Sequence, residues 1–129
     1  MSKNKPLLTT TDAILVQLNF IRTKKQEYFV CLSLDGAQRL IARRVVTIGT
    51  LNSTLVHPRE VFAGPLKDRA ASVIIAHNHP SGIANPSSED IKTTQQLIAA
   101  GHLLGIKLQN HIIVTQRGYY SFHQGKLLY

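Results

Sequence analysis

Residues 72–76, Ser-Val-Ile-Ile-Ala, are almost wholly apolar and run directly into His77-Asn78-His79-Pro80. So short a run with no polar alternation reads as a buried strand, and a strand apolar on both sides needs cover on both faces. The flanking sequence offers that cover. Thr9-Thr10-Thr11-Asp12 supplies capping residues, and Ile14, Leu18 and Ile21 follow at helical spacing, predicting a helix over residues 12–24. Residues 28–34 read as a central strand, Asp35-Gly36 as a hairpin turn and residues 39–46 as the returning strand. Pro58 suits the first position of a helix that Gly64-Pro65 should break or restart. Ile91, Leu97 and Ile98 mark a long helix from residue 87 or 88 to 104, ended by Gly105. Strands are predicted over 106–108, 112–116 and 119–122. The order predicts an α/β (α+β) fold, a mixed β-sheet flanked by helices.

At 129 residues, 43% hydrophobic and 17% charged, the chain fits one soluble globular domain spanning residues 1–129 and neither a disordered nor a fibrous class. No apolar run approaches the roughly 20 residues of a membrane helix. The basic start, Met1-Ser2-Lys3-Asn4-Lys5-Pro6, is not followed by a signal-peptide core, so a cytoplasmic protein with no membrane partner is expected. The one cysteine, Cys31, excludes an internal disulfide and a multi-cysteine metal cage, and its apolar setting predicts a buried, inert thiol. A net charge of +8 would attract nucleic acid or an acidic partner. The clustered cations, Arg22-Thr23-Lys24-Lys25 and Arg43-Arg44, are expected to be solvated faces. Seven acidic residues leave few candidates for carboxylate chemistry.

His77 and His79, two apart at the end of one strand, project to the same side and can grip one metal ion. Hydrolytic zinc is commonly held by three protein ligands, and Asp90, in the first turn of the following helix, is the natural third. Ser87-Ser88-Glu89-Asp90 also fits a capping box, which taken by itself is the better reading of that segment, and a His-x-His pair is common without a metal. Their combination, with a Gly-containing loop between, is rarer than either part.

His77-Asn78-His79-Pro80, six residues, then Ser87-Ser88-Glu89-Asp90 resembles the His-x-His-Pro-(six)-Ser-x-x-Asp pattern of the JAMM (MPN-domain) zinc metalloproteases. His77-Asn78-His79-Pro80-Ser81-Gly82, Pro86-Ser87 and Asp90 are similar to the RadC branch, historically called DNA repair proteins. His57-Pro58-Arg59-Glu60-Val61-Phe62, Gly101-His102-Leu103-Leu104-Gly105-Ile106, Asn110-His111-Ile112-Ile113 and Tyr120-Ser121-Phe122 extend the likeness over residues 25–125. The resemblance implies an MPN/JAMM-like, cytidine-deaminase-like architecture and a peptidase site holding one zinc on His77, His79 and Asp90. It also implies a glutamate base, which Glu27 matches best with Glu60 in reserve, and Ser87 as oxyanion stabiliser. Competing roles are a strand-edge residue for Glu27, a helix-start residue for Glu60 and a cap for Ser87. Two departures stand out. Residues 1–11 are too short to supply the branch's helix-hairpin-helix region, so a DNA-binding role tied to that region is not expected. Where the branch shows Asp-His, this chain has Asn110-His111, which would remove a carboxylate orienting a ligand. His111 either lines the site or is a satisfied core histidine, and His57, His102 and His123 are expected to be structural or on the surface.

The leading expectation is a zinc-dependent hydrolase cutting an amide or isopeptide bond in a protein or peptide. The alternative is a basic module accompanying nucleic acid in DNA repair, with a structural or silent metal site. A metal-dependent nuclease ranks lower, since paired-metal sites need more clustered carboxylates.

Overall fold

Strands β1 (Tyr28–Leu34) and β2 (Leu40–Ile48) form an antiparallel hairpin around Asp35, whose carboxylate accepts from the backbone N–H groups of Ala37 and Arg39. The computed structural model describes residues 5–49 and 56–128, so residues 1–4 of the basic start and Thr50 lie outside the described residues. On its other side β1 pairs antiparallel with β3 (Ser72–Asn78), which in turn pairs parallel with β4 (Lys107–Val114). Strand β5 (Tyr119–Ser121) closes the order β2-β1-β3-β4-β5. The sheet is therefore mixed, and the apolar run at residues 72–76 lies in its centre.

Alternating residues send the two faces to different partners. Val30, Leu32, Ile74, Ala76 and Ile112 pack with Ile14, Leu18 and Ile21 of α1 (Thr11–Leu18) and the short 3-10 turn Asn19–Ile21 that follows it. Phe29, Cys31, Val73 and Ile75 pack on the opposite face with Val61 and Phe62 of α2 (Pro58–Asp68) and Leu97 of α3 (Ser88–Leu104). Helix α3 connects the parallel pair, so its N-terminus lies at the carboxyl end of β3. Gly105 closes it in the left-handed conformation.

Four expectations need correction. The first α-helix stops at Leu18 rather than at residue 24: the chain tightens there into the 3-10 turn Asn19–Ile21, and the Arg22 side chain just beyond it donates to the carbonyls of Thr115 and Gly118 at 2.7 and 2.9 Å. Gly64-Pro65 neither breaks nor restarts α2. The clash that usually bars a helical residue before proline involves its Cβ, which Gly64 lacks, and Pro65 is buried within the helix. The strands predicted at 106–108 and 112–116 are one, because the polar residues between them find partners in the sheet: Gln109 with Gln38 and Ser72, Asn110 with Ser121. Nor are the arginine clusters wholly solvated. Arg43 lies 4.4 Å over the Phe20 ring, and Arg44 holds Asp68 through two hydrogen bonds that keep the Asp68 carboxyl below its usual range. Cys31 is buried as expected, and burial pushes its thiol up to about 12.

Gly101 of α3 packs tightly against the chain entering β4 and against α2, where an added Cβ would run into the Ile106 carbonyl oxygen and come within 3.2 Å of the Phe62 ring. Gly101→Ala is expected to destabilise the protein by about 1–2 kcal/mol, the overpacking cost exceeding the gain in helix propensity. Urea unfolding checks this, and an unchanged or higher midpoint would contradict the close approach.

Candidate metal centre

The centre is built where β3 ends against the start of α3. His77 is the sixth residue of β3 and only 1% exposed, while His79 lies just past the strand, half-buried. The His79 backbone N–H donates to Val114 at 2.9 Å, so the chain continues along β4 beyond the strand's end. Opposite them, Asp90 occupies the third position of α3. Its Oδ2 accepts from the Ser87 backbone N–H at 2.8 Å while the Ser87 hydroxyl accepts from the Asp90 N–H at 3.1 Å. The capping box and the approach to the histidines are thus one arrangement: the cap holds the carboxylate in the rotamer that faces them.

His77 Nε2 and His79 Nε2 lie 3.0 Å apart, and each is 3.2 Å from an Asp90 carboxylate oxygen. Donors 2.0–2.1 Å from a tetrahedral zinc would be separated by about 3.3 Å, so the spacing fits that ion. The donor chemistry fits as well. His79 Nδ1 lies 2.8 Å from the Ile83 carbonyl, which can only accept, so in the neutral ring Nδ1 carries the hydrogen and the Nε2 lone pair faces the cluster. Burial works to raise the Asp90 carboxyl, but the imidazoles of His77 and His79 and the Ser87 backbone N–H outweigh it and hold the group well below the usual carboxylate range. The same carboxylate raises His79 above the ordinary histidine value. Three electron-pair donors converging on one point is an arrangement that a divalent cation satisfies.

The centre forms the floor of a cleft of about 270 Å³ whose walls include Glu27, Phe29, Ser87 and His111. Phe29 pairs with His77 across the two strands, and the same register carried two residues further sets Glu27 opposite His79. Their charges interact, Glu27 adding to the upward shift of His79. The segment bearing Glu27 is clamped by Asn78, whose Oδ1 accepts from the Tyr28 N–H at 2.6 Å and whose Nδ2 donates to the carbonyls of Lys24 and Gln26. Ser87 lies at the rim. Its oxygen accepts from Asp90, which leaves the hydroxyl hydrogen to donate.

The structure brings His77, His79, Asp90, Glu27 and Ser87 to one cleft. Glu60 is elsewhere, exposed in the first turn of α2 beside Arg44 and Cys31. His57, His102 and His123 are exposed. The concern that Asn110 removes an orienting carboxylate is corrected: Asn110 faces away from the centre, bonding Ser121 and the backbone N–H of His111 and His123. His111, by contrast, is both things the sequence allowed. It is fully buried, 2.8 Å from His77 and 2.6 Å from Thr94, and it lines the cleft. Asn78 and Thr94 were not foreseen. The only sequence signal for Asn78 is that an amide at the middle of His-x-His faces the sheet's other side, and Thr94 carries none.

The profile of the RadC-like JAB domain matches residues 8–127. A UPF0758 protein of Methanospirillum hungatei is 48% identical over 116 residues, covering 88% of this chain and 52% of its own length. One from Bacillus licheniformis is 48% identical over 113 residues, covering 88% of this chain and 50% of its own length. One from Methanosarcina mazei is 48% identical over 101 residues, covering 78% and 44%. The chain spans about half the length of the curated relatives it matches. Because the profile spans residues 8–127 and the first of these relatives is 48% identical over 88% of the chain, the chain belongs to the RadC-like JAB domain family.

Proposed function

We propose that the chain is a zinc-dependent hydrolase of amide or isopeptide bonds, with His77, His79 and Asp90 as the metal ligands. The carrying observation is the triangle of donor atoms 3.0–3.2 Å apart at the floor of a cleft that also holds a carboxylate and a hydroxyl. A zinc ion held there supplies Lewis acidity, polarising a carbonyl and bringing the pKa of water down towards about 7. The remaining work falls to the protein. Glu27, opposite His79, takes the proton of the attacking water and later delivers it to the leaving amine. The Ser87 hydroxyl donates a hydrogen bond to the oxygen on which negative charge develops. Phe29 and His77 stack at 6.0 Å and exclude water from below, which strengthens the electrostatics at the floor.

The test uses zinc-loaded protein, a library of internally quenched peptides and a parallel set joined through lysine side-chain amides. Cleavage that stops with a chelator and returns with zinc is expected. Turnover indifferent to chelation would overturn the proposal.

A further inference from the structure

We propose that Thr94 and His111 are positioning residues: together they form a hydrogen-bond relay that fixes the His77 ring with its Nε2 lone pair turned towards His79 and Asp90. The relay starts on α3. Thr94 Oγ1 lies 2.7 Å from the carbonyl of Asp90, one helical turn earlier, and a carbonyl can only accept, so the hydroxyl's single hydrogen goes there. The same oxygen lies 2.6 Å from His111 Nδ1. With its hydrogen committed, it must accept, and His111 is therefore protonated on Nδ1. His111 is fully buried, its ring stacked 4.5 Å from Phe122 and its two nitrogens set against a hydroxyl and an imidazole rather than a carboxylate, so nothing there compensates a charge and the neutral ring keeps Nε2 as an acceptor. That acceptor lies 2.8 Å from His77 Nδ1, which must then carry a hydrogen. A neutral His77 so protonated has its only lone pair on Nε2, the atom 3.0 Å from His79 and 3.2 Å from Asp90.

Each link is set by the fold. The parallel register of β3 and β4 sets His111 beside Ile75, one strand over from His77 and on the face that α3 covers. Thr94 is completely buried one turn after Asp90, so α3 presents the carboxylate and the relay's terminus together. Without the Thr94 hydroxyl nothing prevents His111 from moving its hydrogen to Nε2. It would then donate to His77 Nδ1 and turn a His77 N–H towards the cluster, where it would oppose a cation. Partners of this kind typically change metal affinity by roughly 10–100-fold.

The relay itself is read from hydrogen bonds, but its consequence for metal affinity rests on the zinc reading of the site. The experiment measures both. Long-range nitrogen–proton correlation spectra of the nitrogen-15-labelled, metal-free protein give the tautomer of each histidine, and competition with a chromophoric chelator gives zinc affinity, for wild type, Thr94→Val and Thr94→Ser. The wild type should show His77 and His111 both protonated on Nδ1. Thr94→Val should bind zinc roughly 10–100-fold more weakly with His77 shifted towards the Nε2-protonated form, and Thr94→Ser, which keeps the hydroxyl, should restore both. A wild-type His77 protonated on Nε2 would overturn the relay, as would a Thr94→Val that binds zinc as tightly as wild type. If Thr94→Val does not fold, the wild-type and Thr94→Ser spectra still decide. Wild-type protein that shows the assigned tautomers yet takes up no zinc supports the relay and overturns the metal reading instead.

Discussion

Glu27→Gln is expected to retain its zinc and to lose hydrolysis, the rate falling about 10²–10⁴-fold. Gln keeps the size of the side chain and its hydrogen-bonding capacity but cannot take up a proton at neutral pH. The backbone around it is held independently of the carboxylate. The Glu27 carbonyl accepts from the Gly49 N–H at 2.9 Å, and Asn78 clamps residues 24–28 through three hydrogen bonds. The variant should therefore fold and fill its metal site normally, and rate and zinc content should separate. Both are measured on one preparation, by turnover and by metal analysis. A full rate in Glu27→Gln would remove this residue as the base. Loss of zinc together with the rate would make it a ligand instead.

Saturating zinc is expected to raise the melting temperature of the metal-free protein by roughly 10 °C at a hundredfold excess over the dissociation constant, the linkage amounting to about 2.7 kcal/mol. The shift requires a site that exists only in the folded chain. His77 is buried at the end of the central strand and Asp90 lies in the first turn of the crossover helix, so an ion held by both would tie the sheet to α3. The three donor atoms lie 3.0–3.2 Å apart across that junction. Asp90→Asn should remove most of the zinc-induced shift. The amide keeps an oxygen able to accept from the Ser87 N–H, so the helix cap survives while an anionic ligand is lost. Metal binding displaces protons from its ligands, so the wild-type shift should shrink as the pH is lowered from 7 to 5. Scanning calorimetry at several zinc concentrations measures all three. An Asp90→Asn shift equal to that of wild type would take Asp90 out of the centre.

The elements that carry their own signals were legible in the sequence. The apolar run at residues 72–76 marks the central strand, Ser87 and Gly105 bracket α3, and His77, His79 and Asp90 stand at a spacing that the fold converts into a triangle. What escaped depends on partners distant along the chain. The helix over residues 12–24 looks continuous in sequence, yet the chain tightens after Leu18, and Arg22 beyond the turn is held by carbonyls more than ninety residues away. The polar stretch Gln109-Asn110-His111 reads as a break until each side chain is matched with its partner in the sheet. The side chain at position 110 does not face the centre: strand alternation sends Asn110 towards β5 and the C-terminal turn, and His111 towards the centre. The relay through Thr94 exists only once β3, β4 and α3 are packed, because its members are 17 and 34 residues apart.

The most direct test of the account is the metal content of protein purified without chelators, measured by plasma mass spectrometry beside His77→Ala and Asp90→Ala. About one zinc per chain, absent from both variants, is the predicted result for a site with three protein ligands. Wild-type protein that contains no zinc and takes none up on titration would contradict it, and would return His77 and His79 to a strand end and Asp90 to a helix cap.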